Sequence, residues 1–172
     1  RDPEEWTYEN NTATTVAEFE DVPPISLVLY RAGYLSSGTV HYPPQWQTSR
    51  LIDYMYRQWP VSEIRVWRRS VYYGPGRPNC DQINAILTAR RRWDLNYGWS
   101  AQGVPDNARY YGMWDDSDDS NGGCAWGIPG WVASGKVGTA NVGWDFDGTY
   151  SDWFGAHELG HAYGRHHTLC TG

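Results

Sequence analysis

The string His157-Glu158-Leu159-Gly160-His161, followed by Gly164, His166 and His167, gathers four of the chain's five histidines near one end. Two imidazoles four residues apart on a helix are turned by about 40° and lie about 6 Å apart. Those of His157 and His161 therefore face one point, as two corners of a zinc tetrahedron require. Glu158 projects beside that face, where its carboxylate can act as general base toward a metal-bound water without ligating the ion. Gly164 is where the helix must break, because a residue without a Cβ takes positive φ and turns the chain. His167 then returns as the third ligand. His166 competes for that place. In an extended segment its side chain points away from that of His167, and it is read as a solvated residue or a partner of the ligands. Three protein ligands leave a fourth position for water, which marks a catalytic rather than a structural site.

The elements that must hold this face follow from periodicity. A helix is predicted over about 150–163. Upstream, residues 25–30 form an apolar, β-branched run that reads as a buried strand, and residues 33–42 as a loop rich in Gly and Ser. A helical pattern opens after Pro43-Pro44 and stops at Pro60. Residues 61–67 alternate as a second strand, and a loop follows at Gly74-Pro75-Gly76. Residues 81–93 repeat Ile83, Ile86, Leu87 and Arg90 as a second helix, with Asn79 or Asp81 as its N-cap. Strands are predicted over 108–114 and, more briefly, around 125–128 and 139–144. This order argues for an α+β fold, a mixed sheet with helices packed on it.

The motif over His157–His167 resembles the HExxHxxGxxH signature of metzincin zinc peptidases, and its register selects His167 as third ligand. Tyr110-Tyr111-Gly112, the stretch from Gly123 to Gly143, Val142-Gly143-Trp144-Asp145 and Cys170 are similar in texture to secreted bacterial members. The resemblance implies a twisted, mixed five-stranded sheet with an antiparallel edge strand, two backing helices and a C-terminal active-site helix. It implies a zinc-dependent endopeptidase of extracellular proteins, secreted, with a polypeptide substrate bound by strand addition at an edge strand within 131–142. Such enzymes also place a Met in a turn beneath the metal. Here Met55 and Met113 lie upstream and the chain stops at Gly172. Residues 23–172 are accordingly expected to be an upper catalytic subdomain truncated after the zinc motif, preceded by an extended arm over 1–22.

Composition bounds the alternatives. A net charge of −6 and the absence of a basic stripe argue against a nucleic-acid partner. No run approaches the roughly 20 apolar residues of a membrane span. The acidic loop 115–122 offers carboxylates to a calcium ion, but no Glu closes an EF-hand loop there, and a solvated turn is preferred. Asp145 and Asp147 read as a turn leading into the last helix. Three cysteines, Cys80, Cys124 and Cys170, leave at least one unpaired within the chain or bonded beyond its end. The 11 Trp and 13 Tyr suit thick cores and wet binding surfaces alike. They motivate, with the Thr-rich arm, a competing expectation from another class. In it the chain is a structural or adhesive, filament-forming extracellular subunit that self-associates through the arm and keeps only a vestigial or structural zinc.

Overall fold

The computed structural model describes residues 22–98, 103–115, 122–138 and 151–167. Their fold is α+β, with six strands and three helices: β1 (Ile25–Ser36), β2 (Thr39–His41), α1 (Gln45–Gln58), β3 (Ile64–Pro75), α2 (Cys80–Tyr97), β4 (Arg109–Asp115), β5 (Gly123–Gly127), β6 (Gly130–Val137) and α3 (Ser151–Ala162). The arm over 1–21, the calcium candidates at 116–121, the short strand expected at 139–144, Asp145, Asp147 and Cys170 lie outside the described residues.

β1 is the centre of the sheet. It runs parallel to β3 on one side and to β4 on the other. A strand flanked and covered in this way is apolar on both faces, which is why residues 25–30 read as a continuous buried run. β4 continues in parallel to β6, and β5 closes the order antiparallel to β6. The sequence expectation of a loop over 33–42 is corrected: β1 extends to Ser36 and folds back through Ser37 and Gly38 into β2. Both turn residues have positive φ, 49° and 77°, the geometry that matches strand twist in a two-residue hairpin. β3 likewise runs to Pro75 rather than ending near residue 67. Gly, Ser and Arg hide these extensions from a composition reading, since backbone pairing with β1 sustains them.

The helices divide between the two faces, α1 and α3 on one and α2 on the other. Leu27, Leu29, Tyr111 and Met113 pack against Leu51, Ile52 and Met55 of α1 and against Ala156, Leu159 and Ala162 of α3. The opposite face, with Val28, Tyr30, Tyr110 and Trp114, is covered by Ile83 and Leu87 of α2. Pro44 and Trp59 bound α1, where the prolines predict its limits. Asn79 caps α2 by accepting from the Gln82 N–H, while the Gln82 side chain accepts from the Asn79 N–H. A disulfide joins Cys80, at the start of α2, to Cys124 on β5. α3 comes close under the sheet because Gly155 has no side chain: a Cβ there would stand 2.9 Å from Leu51 Cδ1 and 3.1 Å from the Tyr111 hydroxyl. The Ser151 hydroxyl donates to the Gln47 side-chain oxygen, tying α3 to α1.

Candidate metal centre

α3 ends where Gly164 turns the chain. The Arg165 N–H donates to the Gly160 carbonyl at 2.9 Å and the Gly164 N–H to the His161 carbonyl at 2.8 Å. These are the two bonds of a Schellman cap, with Gly164 at φ 95° in the position that disfavours any Cβ. The turn carries the next residues back across the face of the helix they have just left.

The consequence is a cluster of three imidazoles. His157 Nε2 and His161 Nε2 lie 3.1 Å apart. The His167 ring centroid stands 5.0 Å from that of His157 and 4.7 Å from that of His161. One ring nitrogen from each falls within 4.8 Å of the others, a set able to hold a metal ion. Two nitrogens bonded at about 2.1 Å to one tetrahedral ion stand a little over 3 Å apart. The ring of His161 is fixed from behind, where Nδ1 lies 2.6 Å from the Arg165 carbonyl oxygen. A carbonyl only accepts, so Nδ1 carries the proton and the Nε2 lone pair is left facing its neighbours. His166 does not belong to the converging set and lines the adjoining cleft instead. Burial holds the His157 imidazolium below the usual histidine range, and the other two rings act in the same direction. His157 therefore favours its neutral ring, the form that ligates. The donor set and its spacing fit a borderline divalent ion such as zinc.

Glu158 is 6% exposed and packs against β5, with Gly123 over its Cγ. No hydrogen bond reaches its carboxylate among the described residues. Burial raises its pKa above the ordinary carboxylate range, and the nearby His161 opposes that shift. Tyr111, fully buried below, is pushed well up by burial and then by the charge of Glu158.

The histidines open on a cleft of about 320 Å³ walled by Tyr54 and Gln58 of α1, Trp59 just beyond its end, Trp153 of α3, and Arg165 and His166. The edge strand expected within 131–142 is corrected for its first part. Residues 131–137 belong to the inner strand β6, hydrogen-bonded to β4 on one side and β5 on the other, and 139–142 lie outside the described residues. Among the described residues β5, antiparallel to β6, is the edge strand on this side of the sheet. Sequence reasoning also missed Gly123, the Arg165 carbonyl and the α1 wall. A Gly122-Gly123 pair was a visible sign of close approach, whereas a backbone carbonyl has no sequence signature.

Comparison with protein-family models gives no match, and comparison with curated proteins gives none.

Proposed function

We propose that this chain is the metal-binding part of a zinc-dependent endopeptidase with a metzincin-like architecture, acting on extracellular proteins with Glu158 as general base. The observation that carries the reading is the convergence of His157, His161 and His167 while an adjacent buried carboxylate stays outside the ligand set. A bound zinc ion would supply Lewis acidity, polarising the scissile carbonyl and acidifying water in the site.

The protein's own contributions are separable from that. His161 is held in its ligating tautomer by the Arg165 carbonyl. Glu158, its pKa raised by burial, takes a proton from water and later delivers it to the leaving amine. Among the described residues β5 is an edge strand, along whose backbone an extended peptide can lie, beside the Glu158 side chain. Trp59, Trp153 and Tyr54 give the adjoining cleft an aromatic wall. A purely structural ion has no use for a neighbouring buried carboxylate without a hydrogen-bond partner among the described residues, which sets this reading above the adhesive one.

The test compares zinc-loaded protein with its Glu158→Gln variant on casein and on a quenched peptide library. The expected result is hydrolysis by the parent that falls on the order of 10²- to 10⁴-fold in the variant, with bound zinc unchanged. Equal turnover by both, or none by either with zinc bound, would remove the enzymatic reading and favour the structural one.

A further inference from the structure

A second cavity, of about 270 Å³, opens where the first turn of α1 crosses β1 and β3, lined by Arg31, Arg68, Arg69, Gln45, Thr48 and Ser70 among others. Leu29 pairs with Arg68 and Arg31 with Ser70 across the two strands. Parallel register puts these side chains on one face, so Arg31 and Arg68 are diagonal neighbours. Arg69 is engaged elsewhere, by Asp94 at 2.6 Å and Tyr30 at 3.2 Å. Arg31 donates to the Pro43 carbonyl at 3.1 Å and lies 6.0 Å from the Tyr42 ring, contacts that orient it without neutralising it. Arg68 makes no hydrogen bond or ion pair among the described residues. Among the described residues no carboxylate lines the cavity, and the first turn of α1 contains no acidic residue.

Two guanidinium groups in one concavity, with no carboxylate beside them among the described residues, focus positive potential there, in a chain whose net charge is −6. Their planar donor forks match the spacing of oxygens on a tetrahedral anion. The positive end of the α1 dipole adds to the same field, since Pro44 offers no side-chain cap. We infer that this cavity binds a small tetrahedral oxyanion, a phosphate or sulfate group, held between Arg31 and Arg68. It lies toward the opposite end of α1 from the histidine cleft, roughly 15 Å along the helix axis, and is independent of the peptidase reading.

Calorimetric titration of the intact chain with inorganic phosphate, and separately with sulfate, tests this and tells the two groups apart. Saturable binding at one site is expected for at least one of them. Arg31→Gln and Arg68→Gln should each weaken it at least tenfold, whereas Arg65→Gln, on the same strand but paired with Glu63, should leave it unchanged. Ser70→Asp, which puts a carboxylate between the guanidinium groups, should abolish anion binding and raise the melting temperature. That variant decides the matter if an arginine substitution unfolds the protein. No saturable binding by the parent, or affinity retained in Ser70→Asp, overturns the inference.

Discussion

Gly123 presses on Glu158: a Cβ on that glycine would stand 3.1 Å from Glu158 Cγ and 2.5 Å from the Ser134 carbonyl oxygen. The edge strand and the buried carboxylate thus share one small space, with β5 held in it by the disulfide to α2. Further ties are the 2.9 Å bond from the Trp126 indole N–H to Asp81 and the 3.0 Å bond from the Asn84 amide to the Cys124 carbonyl. Gly123→Ala must therefore move backbone, not only a flexible side chain. It should cost about 1–3 kcal/mol in urea unfolding and lower hydrolysis more than zinc affinity. A variant as stable and active as the parent would separate Gly123 from the site.

Gly164 tests the turn. The nearest atom to a Cβ there is Pro129 Cβ at 3.8 Å, so space is available and the cost of Gly164→Ala lies in its φ of 95°. We expect a loss of about 1–2 kcal/mol in stability and a fall in zinc affinity as His167 is displaced. Chelator competition measures the second effect. Unchanged affinity would mean that His167 does not depend on the cap.

Metal affinity should depend on pH in a defined direction. Protons compete for the ring nitrogens, and burial already holds the His157 pKa below its ordinary value of about 6.5. Its folded form prefers the neutral ring, so its contribution to stability is present above about 6.5 and is lost as pH falls through the lower folded value. Zinc binding should stay strong above neutrality and weaken progressively below pH 6.5. Affinity that rises on acidification would contradict the imidazole assignment.

Alkaline stability probes the buried hydroxyls. Burial pushes Tyr163 up to about 12, and burial together with the hydrogen bond to Asp94 raises Tyr110 as well. Groups with raised folded values stabilise fully below their unfolded value near 10, and that contribution disappears as pH climbs to the folded one. Unfolding free energy should accordingly decline between pH 10 and 12 by on the order of 2 kcal/mol, in step with tyrosinate absorbance. A flat profile across that interval would show these hydroxyls to be solvated.

Much of the candidate site was legible because its geometry is local. Helical spacing alone turns His157 and His161 to one side, and a glycine's access to positive φ is what lets His167 return. The prolines around α1 and the Asn79 cap of α2 act within a few residues, so those boundaries could be read directly. What tertiary structure alone decided was partnership. That residues 131–137 lie inside the sheet while 123–127 form its edge depends on which strands meet, and pairing partners leave no period in the sequence. The same holds for the Cys80–Cys124 bond, whose ends are 44 residues apart, and for the division of α1 and α2 between opposite faces. It holds most for Glu158. Its place on the helix follows from counting residues, but its burial beneath Gly123, and hence its raised pKa, exists only once β5 has packed over α3.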